Sequence, residues 1–527
     1  MKLQGIQTFS LLFATSLVVS ATAMADASGS LFDQFNSWKF WGGNIFNSHS
    51  NPFEVRLNPG NVSGLTTKWA FTTGGDVSAT PTVENEFVYF PDFGGNLFKL
   101  NAQNGTQVWS HKISEYTGMA ASFSRNSPAI VGNLLIFGDQ ASATIIAVNK
   151  DSGELVWKTV IDPTPNAIIT NSPLVFNGRV YVGTSTSEES LSVSDPKLVL
   201  LVRGRVCSLD VNSGKLVWQT FMVPEGYTGG AVWGSTFAID VKRNSLYVTT
   251  GNNHSVPPQV SACLKQATTV AQQQQCLDPQ NYINAVLSLD LYSGKVKWAH
   301  LAGGADTWIL SCLVSNPSSL PCPDPAGVDY DFGSGPNLFT VNNNGQEIDY
   351  VGAGQKSGVY WALNPDDGSV RWATLVGPGS FLGGIQWGSA VEGNRIYCAI
   401  ANADHVTVKL APDGTQTTNG GLWAAMDAGT GKILWEIPAS GEQPFHPGLV
   451  AEAFGQVTAA NGVVYAASFA GDMVAIEGTT GTILWHFSSG VSVICGPSIV
   501  NGTLYWGAGY KRGQGIGGNT VYAFSLP

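Results

Sequence analysis

The stretch DLYSGKVKW, residues 290–298, decides the fold, because the chain carries its pattern seven times. In every copy an Asn, Asp or Glu is followed four residues later by Gly and eight residues later by Trp. The copies begin at Asn101, Asn149, Asp210, Asp290, Asn364, Asp427 and Glu477. A fixed motif that recurs at varying distance indicates one supersecondary unit copied along the chain.

The motif has the chemistry of a turn between two strands. Its first side chain opens the turn, Gly supplies a positive φ that other residues resist, and Trp begins the next strand. Segments such as RVYVGTS (179–185) and VVYAASF (463–469) lie around it and are rich in β-branched and aromatic residues. The pattern predicts an all-β chain.

Two incomplete copies at the ends of the repeat region predict a closed ring. Lys68-Trp69-Ala70-Phe71 resembles the Trp strand of a copy without its turn, and VYAF (521–524) resembles a leading strand without its turn and Trp. Counting Trp69 gives eight units. Because ring closure removes exposed sheet edges, we predict an eight-bladed β-propeller, with an open solenoid as the alternative.

Composition agrees with one large domain whose partners are neither nucleic acid nor anionic membranes. The repeats run from Trp69 to the end of the 527 residues without a Pro-rich or charged linker, so we predict a single propeller domain over 26–527. The formal net charge is -11 and there is no basic run. These features argue against nucleic acid and anionic membranes as partners.

The first residues have the pattern of a secretory signal peptide. Lys2 precedes an apolar stretch, Phe9 to Val19, and small residues stand at Ala23 and Ala25. This pattern predicts a signal peptide over 1–25 and export to a Gram-negative periplasm. No later segment is long and apolar enough to predict a membrane span.

The seven cysteines are compatible with an oxidising compartment. Two pairs lie within polar insertions and are each able to close a short loop, whereas three cysteines lie in strand-like runs and are expected to be buried free thiols. The pairs are Cys263 with Cys276 and Cys312 with Cys322, and the remaining three are Cys207, Cys398 and Cys495. The absence of Cys-x-x-Cys-His excludes covalently bound haem c.

The repeats are unequally spaced, and the insertions fall in the middle of the chain. The widest intervals between motif tryptophans, 80 and 74 residues, lie between Trp218 and Trp372. Loops added to one face of a rigid scaffold are where binding sites are usually built. We therefore expect the site among the middle blades.

Several segments in and around these intervals are informative beyond the repeat. They are SRNSP (124–128), ITNSP (169–173), VGTSTSEES (182–190), GGAVWGS (229–235), TTGNN (249–253), GAGQKSGVYWAL (352–363), GGIQWGS (383–389) and SVICGPSIVNGTLYWGAGY (492–510). Together with the repeat they resemble the pyrroloquinoline quinone (PQQ) dependent alcohol dehydrogenases, most closely the polyvinyl alcohol dehydrogenase branch. The resemblance covers nearly everything from Trp38 to Pro527.

The resemblance implies a set of cofactor-binding residues. PQQ is a planar quinone with three carboxylates, so its pocket needs cations, hydroxyls and flat surfaces. Trp233 resembles the residue that stacks on the quinone, Lys356 the cation on its oxygens, and Trp387 and Trp506 are expected to line the funnel. The full set implied by the resemblance is Arg125, Thr170, Ser185, Trp233, Lys356, Trp387 and Trp506.

The resemblance also implies a metal ion. Glu188 and Asn252 fall on positions that carry a carboxylate and an amide ligand in the family, and Glu189 is the alternative to Glu188. Oxygen ligands of this kind suit Ca²⁺ rather than zinc.

Asp306 is the candidate general base, with a plain turn residue as the alternative reading. Gly304-Ala305-Asp306-Thr307-Trp308 resembles the segment that carries the catalytic Asp of the family, but Ile309 stands where methanol-type enzymes have an Asp. The adjacent Cys-Cys pair of many relatives is also absent.

The implied reaction is alcohol oxidation. Ca²⁺ and Lys356 polarise the quinone while the base takes the alcohol proton and hydride moves to the ring. The expected substrate is a secondary or polymeric alcohol, and the expected electron acceptor is external, such as a soluble cytochrome c. The alternatives are a non-enzymatic scaffold for outer-membrane assembly and a polymer-binding propeller, and both are favoured if Glu188, Asn252, Asp306 and Lys356 do not converge.

Overall fold

The computed structural model describes residues 37–314, 316–443, 448–512 and 515–527, and the predicted signal peptide lies outside them. Eight sheets are built on four antiparallel strands each, so each sheet is a propeller blade. In seven of them the four strands follow one another in chain order, and the eighth combines strands from both ends of the repeat region. The predicted eight-bladed β-propeller is confirmed.

The blades are numbered in chain order, and their strands are given from the channel outward. Blade 1 contains Thr82–Glu84, Phe87–Pro91, Asn96–Asn101 and Gln107–Lys112. Blade 2 contains Ala129–Val131, Leu134–Gly138, Ala143–Asn149 and Leu155–Asp162. Blade 3 contains Leu174–Phe176, Arg179–Gly183, Arg205–Asp210 and Leu216–Phe221. Blade 4 contains Ala238–Asp240, Ser245–Thr249, Ala285–Asp290 and Val296–Leu301.

The second half of the ring repeats this arrangement. Blade 5 contains Asn337–Asn343, Gln346–Gly354, Val359–Leu363 and Val370–Leu375. Blade 6 contains Ala390–Glu392, Arg395–Ile400, Leu422–Asp427 and Ile433–Pro438. Blade 7 contains Thr458–Ala460, Val463–Ala467, Asp472–Glu477 and Ile483–Ser488. Blade 8 contains Ser498–Val500, Thr503–Ala508, Thr520–Ser525 and Thr66–Thr72.

Blade 8 closes the ring with strands from both ends of the repeat region. Thr66–Thr72 pairs antiparallel with Thr520–Ser525, and Trp69 lies opposite Ala523. The two incomplete copies in the sequence thus complete one another. The prediction of a closed ring is confirmed, and the solenoid alternative is wrong.

Each motif tryptophan packs on the blade that follows its own. Seven of the eight donate an indole N–H to a backbone carbonyl of the next blade at 2.9–3.3 Å. The indole also lies against the motif glycine, as Trp372 does against Gly431. The last contact, from Trp485 to the carbonyl of Leu65, joins blade 7 to blade 8.

The segment 37–51 binds the inner edges of most blades. Its first residues pair with blade 1, and the amide of Asn51 donates to the carbonyl of Ile499 in blade 8. Backbone carbonyls between these points accept N–H groups from the inner strands of blades 2, 4, 5, 6 and 7, at Lys39, Ile45, Phe46, Ser48 and His49. The segment therefore satisfies backbone groups that would otherwise face the channel.

The remaining elements are short and lie in the connections. Two-stranded ribbons pair Ala167–Ile168 with Ser185–Thr186, Thr228–Gly229 with Asn253–Ser255, and Val408–Lys409 with Thr417–Thr418. The α-helices are Ile113–Thr117, Glu188–Leu191, Pro258–Leu264 and Val270–Cys276, and the 3₁₀ helices are Val62–Gly64 and Leu310–Leu313. None of the helices in the described ranges has the length and apolar character needed to cross a bilayer.

The cysteine predictions are confirmed. Cys263 is bonded to Cys276 and Cys312 to Cys322, so each disulfide closes a loop within one insertion. The other three cysteines are buried free thiols.

Replacement of a docking glycine tests the contact between blades. Gly431 has φ +71°, and a Cβ placed there would lie 2.4 Å from Trp372 Cε3. Gly345 has φ +90° but no atom within 4 Å of such a Cβ, so it is a matched control for backbone strain alone. We expect G431A to lower the free energy of unfolding by about 1–3 kcal/mol more than G345A does, because only G431A adds a clash. Equal losses in denaturant titrations would contradict the docking role.

Candidate active site

A cavity of about 460 Å³ lies on one face of the ring. Its lining residues come from two kinds of loop, those that enter the innermost strand of a blade and those that join the second strand to the third. Both kinds emerge at the same end of a four-stranded meander. The insertions of blades 3 to 5 belong to these loops, which explains why the longest intervals of the repeat contribute to the site.

Most of the predicted site residues meet in this cavity. Those that line it are Arg125, Thr170, Ser185, Trp233, Asn252, Lys356 and Trp387. They come from blades 2 to 6, so the arrangement of the blades around a common axis brings them together. Trp506, Glu188 and Asp306 are not among the lining residues.

Lys356 lies between two aspartates. Its ammonium nitrogen is 2.9 Å from Asp329 Oδ2 and 2.7 Å from Asp331 Oδ1. Burial lowers the pKa of Lys356, but the attraction of Asp329, Asp331 and Glu189 outweighs burial, so the pKa is raised and the ammonium stays charged. Burial raises the pKa of Asp329 well above its usual range, while Lys356 opposes the shift.

Trp233 is fixed beside this charge cluster. Its indole N–H donates to Asp331 Oδ2 at 2.6 Å, and Lys356 Nζ lies 5.3 Å from the indole ring centroid, a cation–π contact. A Cβ at Gly333 would lie 2.9 Å from the indole, so the backbone approaches the ring too closely for any other residue. Trp387 meets Trp233 edge to face at 5.4 Å.

Two arginines give the other side of the cavity a positive charge. The Arg125 guanidinium lies 4.6 Å from the Trp387 ring centroid, and burial lowers its pKa to about 10, so it is protonated at neutral pH. Arg512 also lines the cavity, beside Tyr510. The sequence analysis missed Arg512 and Tyr510, although the segment 492–510 ends at Tyr510 and pointed to this region.

Glu188, the first predicted metal ligand, does not line the cavity, whereas its neighbour Glu189 does. The carboxylate of Glu188 accepts backbone N–H groups from Leu201 and Val202 at 2.7 and 3.1 Å, and the side chain is fully buried away from the cavity. Glu189 lines the cavity instead, and burial raises its pKa while Lys356 opposes the shift. Glu188 has the structural role of holding the end of the blade 3 insertion.

Asn252 lines the cavity with its side-chain amide group. The amide nitrogen donates to the carbonyl of Trp308 at 2.8 Å, which leaves the amide oxygen without a hydrogen bond from the described residues. Glu189, Asn252, Asp329 and Asp331 together form a set of oxygen donors that suits a hard cation. In the described residues, no three His, Cys, Asp or Glu side chains are already grouped closely enough to hold a metal ion.

Asp306, the predicted base, does not line the cavity. Its carboxylate accepts four hydrogen bonds, from the backbone N–H groups of Val328, Asp329 and Tyr330 and from the amide of Asn284. The side chain is buried and all its acceptor capacity toward a substrate is occupied. Asp306 therefore holds the loop that carries Asp329, which the alternative reading as a turn residue describes better.

Asp329 and Asp331 are the carboxylates that the sequence analysis missed. Both line the cavity, and they stand two residues apart in GVDYDF (327–332). Acidic side chains with a spacing of two point to the same side of an extended segment. That spacing was the available signal, and it lies 21 residues after Trp308 in the chain.

Trp506, which was expected to line the funnel, does not line the cavity. Its side chain is fully buried in the core shared by blades 1, 7 and 8, where the indole N–H donates to the carbonyl of Cys495 at 2.7 Å. The strand Thr503–Ala508 is buried on both faces, so residue type alone does not reveal which face meets a ligand.

The lining residues fit a flat polyanion such as PQQ. The cavity combines an aromatic face at Trp233, cations at Arg125, Lys356 and Arg512, and a volume of several hundred cubic ångströms. Two buried polar atoms, Gln140 Oε1 and Trp387 Nε1, have no hydrogen-bond partner within the described residues. Such atoms are usually paired in native structures, so these two are the exceptions beside the cavity that need an explanation.

Comparison with known proteins agrees with this reading. A family model, PQQ_2, described as outer membrane protein assembly factor BamB, matches residues 66–195, 355–499 and 418–526, together more than half of the chain. A polyvinylalcohol dehydrogenase of Pseudomonas sp. is 28% identical, over 93% of this chain and 77% of the relative. A second polyvinylalcohol dehydrogenase, of Sphingopyxis sp. (strain 113P3), is 25% identical, over 93% of this chain and 76% of the relative.

The fold is shared with a solved structure. The crystal structure of quinohemoprotein alcohol dehydrogenase from Comamonas testosteroni superposes with a TM-score of 0.70 at 18% identity, over 96% of this chain and 82% of that chain. The chain therefore belongs to the PQQ_2 family, and its predicted resemblance to the quinoprotein alcohol dehydrogenases is confirmed.

Proposed function

We propose that the protein is a periplasmic alcohol dehydrogenase that binds PQQ and Ca²⁺ in this cavity and oxidises secondary or polymeric alcohols. That it is an alcohol dehydrogenase follows from its relatives. The observation that carries the detailed proposal is the contact of Lys356 with Asp329, Asp331 and Trp233 in one cavity. An external acceptor, such as a soluble cytochrome c, receives the electrons.

The positive residues account for cofactor binding. PQQ has three carboxylates, and Arg125 and Arg512 offer charge-assisted hydrogen bonds to such groups. Thr170 and Ser185, which also line the cavity, contribute hydroxyl groups. Trp233 provides the flat surface, and its bond to Asp331 fixes the orientation of that surface before any ligand arrives.

Asp329 is the proposed general base. PQQ, when bound, supplies the hydride acceptor. Both oxygens of Asp331 are engaged, one by Lys356 and one by the Trp233 indole, whereas Asp329 uses only Oδ2 toward Lys356. Asp329 Oδ1 is therefore the carboxylate oxygen able to take a hydroxyl proton. Lys356 holds Asp329 in place and stabilises the negative charge that develops on substrate oxygen.

Glu189 and Asn252 are the proposed metal ligands. Both line the cavity, and each offers the oxygen atoms that Ca²⁺ prefers. The polar insertion of blade 3 carries Glu189, while the loop between the second and third strands of blade 4 carries Asn252.

Export to the periplasm is supported by the N-terminal sequence pattern and by the disulfides. Lys2 and the apolar stretch Phe9 to Val19 have the order expected of a signal peptide, which leaves 26–527 as one exported domain. Two disulfides in exposed insertions are typical of proteins that fold outside the reducing cytosol.

The scaffold alternative accounts less well for the cavity. A protein-assembly scaffold has no need for a lysine buried between two aspartates, because such a cluster is costly unless it serves a site. Four residues were expected to converge in one site, and two of them, Asn252 and Lys356, line the cavity. The other two carboxylates that line it are Glu189 and Asp329, in place of Glu188 and Asp306.

Reconstitution tests the proposal directly. With PQQ and Ca²⁺ added, the purified protein is expected to reduce an artificial dye with 2-butanol, and PQQ alone is expected to raise the melting temperature. No turnover with a panel of primary and secondary alcohols, together with no thermal shift, would refute the function.

Substitution of the proposed base separates chemistry from binding. We expect D329N to lower kcat by about 10²- to 10⁴-fold, because the amide takes no proton from the alcohol. PQQ affinity, measured by quenching of tryptophan fluorescence, should change much less. D404N, at an exposed position, is the control and should leave both quantities as they are. Retention of kcat within threefold in D329N excludes Asp329 as the base.

The arginines should determine cofactor affinity. R125Q and R512Q each remove one charge facing the cavity, and loss of a charge-assisted hydrogen bond of about 1.5–3 kcal/mol corresponds to at least a tenfold weaker Kd for PQQ. R371Q, on the outer strand of blade 5, is the control. Equal PQQ affinity in all three variants would place the carboxylates elsewhere.

A further inference from the structure

Glu189, which lines the cavity, stands in a short turn that is held at both ends. The turn consists of the helix Glu188–Leu191 and the residue after it, Ser192. On one side the Glu188 carboxylate binds the backbone N–H groups of 201–202. On the other side the turn is held through Ser192, which is fully buried. The position of the Glu189 side chain therefore depends on what Ser192 contacts.

Every polar group of Ser192 is paired. Its hydroxyl donates to the carbonyl of Glu189 at 2.6 Å and accepts the N–H of Ser311 at 3.1 Å. Its carbonyl accepts the N–H of Leu320 at 2.7 Å, and its own N–H donates to the carbonyl of Glu188 at 2.9 Å. A helix leaves its last carbonyls without partners, so the hydroxyl satisfies the turn itself and also joins it to another part of the chain.

The two partners of Ser192 lie beside the two halves of a disulfide. Ser311 directly precedes Cys312, and Leu320 stands two residues before Cys322. The bond between the two cysteines joins these parts of the connection from blade 4 to blade 5, with 4.7 Å between the Cα atoms. Without the bond, holding both parts on Ser192 would cost more conformational entropy, because only the intervening chain would link them.

The same connection carries residues of the site near both of its ends. Leu310 lines the cavity at the start of the disulfide-bonded part, and the two aspartates of the site line it farther along. The attraction of Glu189 contributes, with that of the two aspartates, to the raised pKa of Lys356. Ser192 thus joins the turn of Glu189 to the connection that carries the other carboxylates of the cluster.

We propose that Ser192 and the Cys312–Cys322 disulfide together position Glu189, so that the affinity of the cavity for a divalent cation depends on both. Ser192 and the two cysteines do not line the cavity, so they act through Glu189 rather than on a ligand. A carboxylate that is already directed into the cavity loses less conformational freedom when it binds a cation. This inference rests on the proposed function, in which Glu189 is a ligand of Ca²⁺.

Two variants remove this connection in different ways. S192A removes the hydroxyl between Glu189 and Ser311, whereas C312S/C322S removes the covalent link and leaves Ser192 as it is. With PQQ present, the apparent Kd for Ca²⁺ is expected to rise about tenfold in each variant, because the carboxylate is no longer fixed before the cation binds. Isothermal titration calorimetry measures this Kd.

A general loss of structure predicts a different result from a loss of position. Arg125 and Arg512, the proposed partners of the PQQ carboxylates, come from other blades than Glu189. In S192A the Kd for PQQ at saturating Ca²⁺ should therefore change by less than about twofold, and kcat at saturating Ca²⁺ should return to the wild-type value. An equal weakening of PQQ and Ca²⁺ binding would indicate general disorder and would overturn the positioning role.

Matched variants control for the substitutions themselves. The Ser194 hydroxyl also donates to the carbonyl three residues before it, but Ser194 is exposed and lies outside the cavity, so S194A should leave the Kd for Ca²⁺ unchanged. C263S/C276S removes the other disulfide, which links two helices of the blade 4 insertion, and should also leave it unchanged. If S192A and C312S/C322S bind Ca²⁺ as tightly as these controls, the inference is overturned.

Amide hydrogen exchange separates this inference from the proposed function, because it needs neither cofactor nor metal. In the cofactor-free protein, we expect the segment 188–192 to exchange about fivefold faster in S192A and C312S/C322S than in the wild type and the two controls. If the wild type does not bind Ca²⁺ but this difference is seen, the proposed metal site fails and the positioning of Glu189 stands. If the segment exchanges alike in all five proteins, the positioning role is overturned whether or not Ca²⁺ binds.

Discussion

The contact between a tryptophan of one blade and the glycine turn of the next is the interaction on which the structure depends. A blade of four strands buries little by itself, and its neighbours supply the rest of its core. The indole covers a glycine whose φ is positive, and its N–H satisfies a turn carbonyl that a close-packed interface would otherwise leave without water. Repeated around the ring and completed by the pairing of Thr66–Thr72 with Thr520–Ser525, this contact holds loops from distant parts of the chain at one face.

That rigidity makes the buried charges of the site tolerable. Lys356, Asp329 and Asp331 come from two connections, and burial alone would remove the charge from each of them. Lys356 stays charged because both aspartates lie within hydrogen-bond distance, and it opposes the rise that burial causes in the pKa of Asp329 and Asp331. Asp331 is also bonded to Trp233. A flexible scaffold would let these groups separate and bind water. The rigid propeller keeps the charged cluster in a fixed geometry before a substrate binds.

The repeat made the fold fully predictable, whereas the site was predictable only where local sequence carried its own context. Trp233, Lys356 and Asn252 stand in glycine-rich segments whose form suggested close approach to a ligand, and all three line the cavity. Asp306 and Glu188 were chosen because they were the acidic groups near a recognised segment. Whether a carboxylate is free depends on which backbone N–H groups surround it, and for both residues these come from 13 to 24 positions away in the chain. Sequence proximity does not reveal such pairing.

The role of Asp306 shows how a residue can serve the chemistry without touching it. Its carboxylate gathers the N–H groups of Val328, Asp329 and Tyr330, which sets the direction of Asp329 toward Lys356. Its backbone carbonyl accepts from Asn253, and the carbonyl of Asn253 accepts from Trp308, which lines the cavity. One residue thus holds the loop of the proposed base through its side chain and the segment of a cavity-lining tryptophan through its backbone. Because both contacts are made by Asp306, the position of Asp329 relative to Trp308 depends on a residue that does not itself line the cavity.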